Sequence, residues 1–396
     1  MNIFRGFPRE NGPAGIRNIV LVISGDLCCN PWSREIAAPF ENCFALMHKH
    51  GVGNFSPDRA LFKRLLSGIT VHPNVAGFVF VSSGNEDHTP DELLAQARLT
   101  GRKFHIVSAK TIGSGSALLR KGKQYAETLV REALHARRID IGIDQFRIGL
   151  NCAGTDTASA KSSNAVCGIA ADMIIAQGGT VIVSETPDLI GLGNELFDRC
   201  TSGADRSRLE TFLENQEKRL SSTGEKIDDI EMVSFNVEGG IKTLKQKSHI
   251  SILKAGTGMI SEVIGYGQIP SHNGLVFMDG PAMTDFVITG FMGAGIHLML
   301  NTCGEGPGNT MPFTVGADMP SPILPVIKIT GSTAYFRQKA NNIDFDAGSL
   351  LTGAEDKEHA AERLLRLIND VASGRTTRTE QGQDYLLNIP VRYHQA

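Results

Sequence analysis

The sequence predicts an α/β fold, an N-terminal doubly wound, Rossmann-like domain followed by a larger α/β domain, on three observations. Short apolar runs alternate with helix-like stretches along the first part of the chain, the βαβ rhythm of a parallel sheet. A length of 396 residues leaves room for two or three domains at about 150 residues each. Glycine, 43 of the 396 residues, exceeds the average of about 7% and gathers where apolar runs end. It therefore serves turns and close backbone approach rather than flexible linkers.

In chain order, residues 19–24, 78–82 and 105–107 are apolar enough for buried strands, with helices expected over 57–67, 91–99 and 116–138 between and after them. Ser56 is a candidate N-cap, Pro57 fits a first helical position, and Ala60, Leu61, Leu65 and Leu66 supply an apolar face. Residues 137–145 are charged and lack core periodicity, which places a boundary there and gives domains 1–142 and 143–396. The second series expects strands over 147–151, 180–184, 274–278, 296–301 and 326–330 and a helix over 164–177. The charged stretch 198–229 reads as a solvated helix with Leu209, Phe212, Leu213 and Leu220 facing inward. Near the end, Thr352 and Glu355 form a candidate capping box for a helix. Ala360, Ala361, Leu364, Leu365, Leu367, Ile368 and Val371 mark its inner face, and Gly374 stops it.

Composition narrows the function. Lys+Arg 39 against Asp+Glu 42 gives a formal charge of −3, no electrostatic footprint for nucleic acid or an anionic membrane. The apolar runs are too short to span a bilayer, and residues 1–17 are polar and rich in Gly and Pro, unlike a signal peptide. Seven Cys without a CxxC pair fit a reducing compartment, so a cytoplasmic location is expected. Dinucleotide and phosphate-loop fingerprints, a GxSxG elbow and an HExxH helix are all absent.

Open parallel sheets bind ligands outside the carboxyl ends of their strands, so the residues just after each apolar run are the informative ones. These are Ser82 to His88, Asn151 to Asp156, Ser184-Glu185, Met278-Asp279-Gly280 and Asn301 to Gly306. Carboxylates, hydroxyls, thiols and tight glycines of this kind suit a polar, oxygen-rich small molecule and a metal. Each has a plainer reading. His48 can be a base, acid or ligand, or a satisfied polar residue. Cys152 can be a small buried hydrophobe, Asp156 a ligand or a helix cap, and Glu185 and Asp279 caps or loop bridges.

A series of motifs runs in order along nearly the whole chain. Gly6-Phe7-Pro8-Arg9-Glu10-Asn11-Gly12 and Gly15-Ile16-Arg17-Asn18 are followed by His48-Lys49-His50-Gly51-Val52-Gly53, Ser82 to Glu86, and Cys152-Ala153-Gly154-Thr155-Asp156. Gly178-Gly179-Thr180, Ser184-Glu185, Gly239-Gly240, Gly274 to Asp279 with Pro281, Pro325 to Gly331 and Asp344-Phe345-Asp346-Ala347-Gly348 complete it. The series resembles the large C-terminal portion of the altronate and galactarate dehydratase family, which includes the large subunit of sulfolactate sulfo-lyase. The resemblance implies removal of water or sulfite from a hydroxylated carboxylic acid, with a divalent metal, most simply iron. The proton α to a carboxylate is weakly acidic, so a cationic centre must stabilise the enediolate while a base abstracts it. On this reading His48, Glu86, Cys152 and Asp156 surround the reacting centre, His48 and Cys152 hold the metal, and Arg17, Asn85, Thr155, Glu185, Asn236 and Asp279 contact substrate.

The chain departs from the family pattern in four places. Gly-Cys-Gly becomes Gly51-Val52-Gly53, Gly-Cys-Glu becomes Gly84-Asn85-Glu86, Asn-Lys becomes Asn236-Val237, and Thr-Gly-Arg-Gly becomes Cys303-Gly304-Glu305-Gly306. Residues 307–322 also form a longer stretch than usual. Sugar-acid dehydratases of this family carry a small β-rich domain ahead of the part matched here, so a separate small β-rich partner subunit is expected, along with homo-oligomerisation. The leading reading is a carbon–oxygen lyase. The alternatives are a carbon–sulfur lyase of the sulfolactate type and a catalytically silent binding or regulatory paralogue.

Overall fold

The computed structural model describes residues 3–224, 227, 230, 232–305, 321–380 and 385–390. Its strands are β1 (Ile3–Gly6), β2 (Ile19–Ser24), β3 (Cys43–Met47), β4 (Val75–Ser82), β5 (Lys103–Ser108), β6 (Ile139–Gly142), β7 (Arg147–Gly154), β8 (Thr180–Val183), β9 (Ile260–Ile264), β10 (Gly274–Met278), β11 (Leu298–Cys303), β12 (Val326–Thr330), β13 (Phe345–Asp346) and β14 (Tyr385–Leu386). They form a five-stranded sheet ordered β14-β3-β2-β4-β5, a seven-stranded sheet ordered β13-β12-β11-β7-β8-β10-β9, and a β1-β6 ribbon. Every pairing in the two large sheets is parallel, and the ribbon alone is antiparallel. The expected α/β class is therefore the observed one.

Strand alternation decides which core each residue joins. On the five-stranded sheet Val20, Val22, Val79 and Val81 face a core closed by Ile36, Leu118, Ala126 and Leu129. Leu21, Ile23, Phe78 and Phe80 face the other way, into a core that also takes Ile182, Val276, Met278 and Met299 from the seven-stranded sheet. The two sheets thus share one apolar interior, filled by the helices Ser56–Thr70 and Thr284–Gly293. Their crossing is close enough that a Cβ on Gly68 would lie 2.0 Å from the Gly293 carbonyl oxygen, so only glycine fits there. The outer face of the seven-stranded sheet packs Ile148, Leu150, Val181 and Phe277 against the helices Ser163–Ala176 and Lys357–Ala372.

Several local expectations need correction. Ser56 is the first helical residue rather than the cap; the chain enters through an extended Phe55. The last long helix is capped by Asp356, which accepts the His359 N–H at 2.8 Å. Glu355 instead bridges Ser349 (2.7 Å) and Arg363 (2.9 Å). The charged segment 137–145 holds β6, whose Ile141 enters the core beside Ile143. The charged helix spans Gly203–Ser221 with Leu209 and Leu213 buried, shorter at both ends than the expected 198–229, of which residues 225, 226, 228 and 229 lie outside the described residues, as does most of 307–322. No helix among the described residues is long and apolar enough to cross a membrane.

Candidate active site and metal centre

The carboxyl ends of β7 and β8 carry the densest buried chemistry. Glu185 follows β8 with φ +75° and ψ +61°, a left-handed conformation that it shares with only Asn42 among the described non-glycine residues. That geometry costs about 1–2 kcal/mol, and its surroundings hold it. The Cys152 N–H donates to Glu185 Oε2 at 3.3 Å, and Lys254 Nζ lies 3.2 Å from the same oxygen. With its amide nitrogen facing Glu185, Asn151 reaches the two carboxylate oxygens at 3.0 and 3.2 Å, while its own oxygen accepts from Thr284 Oγ1 at 3.1 Å.

A polar chain continues from there. Lys254 Nζ donates to Ser251 Oγ (2.8 Å), Ser251 Oγ to Asp188 Oδ2 (3.4 Å), and Lys247 Nζ to Asp188 Oδ1 (2.7 Å). Two carboxylates and two ammonium groups balance. Burial pushes the Glu185 carboxyl up to about 7, against the opposing pull of Lys254. Burial also disfavours the Lys254 ammonium, yet Glu185 and its other anionic neighbours outweigh that and leave it raised. A carboxyl near neutrality beside a firmly charged ammonium is the arrangement that divides proton transfer from charge stabilisation. Beside it, Cys152 Sγ lies 3.2 Å from Thr155 Oγ1, and the Asn236 amide donates to the Thr155 carbonyl at 2.7 Å.

The carboxyl ends of β2 and β4 form a second cluster. Asp26, Cys29 and Glu86 bring ligating atoms within 4.8 Å of one another, the one such trio among the described residues. Asp26 Oδ1 accepts the Cys28 and Cys29 N–H groups at 2.8 and 3.2 Å, and Ser83 Oγ donates to its other oxygen. Glu86 accepts the Ser83 and Gly84 N–H groups at 2.8 and 3.0 Å. A Cβ on Gly25 would stand 2.7 Å from Glu86 Oε1, so the cluster closes only over glycine. Burial and the two carboxylates push the Cys29 thiol far above its usual range. The cluster thus gathers two anionic oxygen donors and a thiol, and that donor set fits a borderline divalent ion such as iron(II) or zinc.

Residues 143–392 match the family described as D-galactarate/altronate dehydratase, C-terminal, and residues 6–134 match the second domain of D-galactarate dehydratase/altronate hydrolase. The chain belongs to the galactarate/altronate dehydratase family. It is 27% identical over 393 residues to an altronate dehydratase of Bacillus subtilis, covering 96% of this chain and 75% of that enzyme. It is 28% identical over 386 residues to the (2R)-sulfolactate sulfo-lyase subunit beta of Chromohalobacter salexigens, covering 95% of this chain and 94% of that subunit. It is 28% identical over 321 residues to a galactarate dehydratase (L-threo-forming) of Escherichia coli, covering 79% and 59% respectively.

In this dehydratase-family chain the expected site residues fall into three groups. Cys152, Thr155, Glu185 and Asn236 come together as described. Asp156 joins them as a cap: its Oδ1 accepts the Ser159 N–H at 2.7 Å, and its Oδ2 accepts the Glu305 N–H at 2.8 Å. Asp279 accepts from Thr186 Oγ1 at 2.6 Å, and so pins the residue next to Glu185. Glu86 belongs to the second cluster; Asn85 is exposed there, its N–H donating to Ser83 Oγ at 3.1 Å.

His48 and Arg17 are corrections. His48 is fully buried, with Nε2 2.7 Å from the Ser24 carbonyl and Nδ1 accepting the His50 N–H at 3.3 Å. Both ring nitrogens serve the backbone and burial lowers its pKa to about 4, so it is a neutral strut with no lone pair left for a metal. It stands after β3 of the five-stranded sheet, whereas Cys152 lies in β7 of the seven-stranded one. Arg17 grips Glu380 at 2.6 and 2.8 Å and donates to the carbonyls of Ile16, Val371 and Arg375. No donor remains for a substrate.

Several residues of the two clusters escaped the sequence reading, Cys29 among them. Lys254 and Lys247 supply positive charge beside Glu185. Lys254 was visible as a lone cation in the apolar stretch from Ile250 to Ala255. Asp26 follows the strand Ile19–Ser24 by two residues, where the strand-end rule points.

Proposed function

We propose that the chain is a lyase that removes water from a hydroxylated carboxylic acid. Glu185 is the base that takes the α-proton, and Lys254 is the cation that offsets the charge developing on the enediolate. The buried Glu185–Lys254 pair at the end of β8 supports this reading: its carboxyl is matched to neutral pH, and it is fixed by Asn151 and the Cys152 N–H rather than by solvent. Cys152 and Thr155, adjoining the pair, are the groups available to the departing hydroxyl. Asp26, Cys29 and Glu86 would hold a divalent metal, which would supply Lewis-acid polarisation of an acid's oxygens. The family relationship supports the reaction class, and the names of the relatives supply the acids to try.

The test is turnover of altronate, galactarate and (2R)-sulfolactate by protein purified without oxygen, with metal content measured on the same sample. Dehydration of one of the sugar acids, with about one metal per chain that Asp26→Asn or Glu86→Gln removes, is the expected result. Release of sulfite from sulfolactate without sugar-acid turnover would replace this reading with the carbon–sulfur one. The relationship to a sulfo-lyase subunit favours that second reading and, with it, a partner chain. No turnover of any of the three, with or without added metal, would point to a binding paralogue.

A further inference from the structure

The lyase reading leaves the first motif of the chain, Gly6 to Gly12, without a role. Its Arg9 reaches the amino ends of the five-stranded sheet, the end opposite to Asp26 and Glu86. There Nε donates to the Pro73 carbonyl at 2.8 Å, one terminal nitrogen to Asn18 Oδ1 at 2.8 Å and the other to the Arg17 carbonyl at 3.1 Å. Gly15 leaves room for it, since a Cβ on that residue would stand 2.8 Å from the guanidinium. Arg102, directly before β5 and only 8% exposed, donates to the Val75 carbonyl and to the Val71 carbonyl at 3.2 Å. Both arginines line one open cavity of about 200 Å³, together with Asn18, Thr100 and Ala136.

The charge there is unbalanced. Among the described residues the partners of both guanidiniums are neutral oxygens, and neither arginine makes an ion pair with a carboxylate. Their N–H donors are not all spent on those oxygens. The lining holds two carboxylates. Glu132 is taken by Lys103 at 2.7 Å, and Glu10, exposed, is turned over Gly101, where a Cβ would lie 2.7 Å from its Oε2. Burial, joined by repulsion from Arg102, lowers Arg9 to about 9, and burial lowers Arg102 to about 10. The same field reaches the fully buried imidazoles of His72 and His297, which burial keeps below their usual range and which Arg102 and Arg9 lower further. Buried charges are ordinarily paired, so two like charges side by side call for an anion from outside the chain.

We propose that this cavity binds a free tetrahedral oxyanion, phosphate or sulfate, between the guanidiniums of Arg9 and Arg102. A guanidinium presents paired N–H groups to such an ion, and a tetrahedral ion has oxygens for two of them at once. The volume lies below the range of about 300–1,000 Å³ that small-molecule pockets occupy, which favours the ion itself over a phosphorylated metabolite. The proposal goes beyond the lyase reading, which rests on Glu185 and Lys254 in the other sheet. It is read by binding alone.

The test is thermal melting of the full chain in phosphate, sulfate, glycerol phosphate, acetate or chloride at one ionic strength, up to about 20 mM, with calorimetric titration of the same ions. Phosphate and sulfate are expected to raise Tm saturably with a Kd below about 1 mM, and acetate and chloride to leave it within about 1 °C. Arg102→Gln should weaken phosphate binding by at least about tenfold. Should that variant fail to fold, Ala136→Glu decides. It sets a carboxylate at an exposed position on the rim of the cavity and should weaken phosphate by about tenfold, whereas Ala136→Gln should leave the affinity unchanged. A Tm that climbs without saturating, equally in the wild type and the variants, reflects exclusion of these salts from the protein surface and an adventitious ion only, and it overturns the proposal. Acetate binding as tightly as phosphate overturns it too, as does glycerol phosphate binding more tightly than phosphate, or no saturable binding of phosphate or sulfate.

Discussion

The loops at the carboxyl ends of the two parallel sheets solve the same problem in different ways. At the five-stranded sheet, Asp26 and Glu86 are satisfied by backbone N–H groups and a serine hydroxyl. At the seven-stranded sheet, Glu185 and Asp188 are met by Lys254 and Lys247. The first arrangement leaves two carboxylates and a thiol able to accept an external cation; the second carries its own. A buried pair of opposite charges seldom adds net stability, because desolvation offsets the attraction. A strained Glu185 beside an ammonium is therefore better explained by chemistry than by folding.

That contrast is broken most directly at Glu185. Glu185→Gln keeps the shape and removes the base, so turnover should fall by about 10²–10⁴. The wild-type kcat/KM should rise with pH through about 7, where the carboxyl ionises. A variant with full activity, or a profile flat around neutrality, removes Glu185 from the mechanism. Lys254→Met tests the partner: it leaves a buried carboxylate without its cation and should cost about 3–5 kcal/mol in denaturant unfolding. Adding Glu185→Gln to Lys254→Met should recover much of that loss, because the stranded charge is gone. If the double variant is as unstable as the sum of the singles, the pair is not coupled and the balanced-cluster account fails.

How far the sequence discloses these two regions depends on local pattern. The strands Ile19–Ser24, Gly274–Met278 and Val326–Thr330 are readable to the residue because each is a short, nearly unbroken apolar run. Cys43–Met47 is not, since it runs straight into His48-Lys49-His50, and Ile260–Ile264 carries Glu262 in its middle. Ile139–Gly142 alternates within a charged segment and becomes a strand only because β1 pairs with it from far away in sequence. The site divides likewise. Cys152 near the end of β7, Thr155 just after it and Glu185 just after β8 are picked out by that rule, whereas Lys254 comes from a helical turn whose approach to β8 is purely tertiary. His48 shows the reverse failure: its motif is visible, but both ring nitrogens being taken by Ser24 and His50 is not.

His48 also gives the next prediction, which sharpens the difference between the sheets because it concerns the first one alone. Its pKa falls from 6.5 to about 4 in the folded chain, chiefly through burial. A depressed pKa means stability that is present above the unfolded value and lost as pH falls through the folded one. Between pH 7 and pH 4 this group should withdraw about 3 kcal/mol. The upper end of that window overlaps the Glu185 range, where the sign is opposite: its raised pKa gives stability that is complete below about 4.5 and is lost as pH rises through about 7. Imidazole NMR through an acid titration separates the two, and a His48 ring that titrates near 6.5 while the fold persists contradicts the strut assignment.

The smallest effect decides what Asp156 is. One oxygen caps the helix Thr157–Lys161 and the other holds the Glu305 N–H, fastening the end of β11 to the end of β7. Gly304 runs so close beneath it that a Cβ there would overlap the carboxylate, at 1.6 Å from Oδ1. Asp156→Ala removes both contacts and should cost about 1–2 kcal/mol. Asp156→Asn keeps an acceptor for the cap but turns its NH2 toward the Glu305 N–H, so it should cost less than the alanine change, about 0.5–1 kcal/mol, with turnover largely preserved. Burial raises the Asp156 carboxyl, with the Ser159 and Glu305 N–H groups pulling the other way, so its charge is held by those same two donors. An asparagine variant that melts like the wild type yet loses turnover would move Asp156 from the scaffold to the chemistry. Retained turnover would leave Glu185 as the carboxylate on which the second sheet's reaction depends.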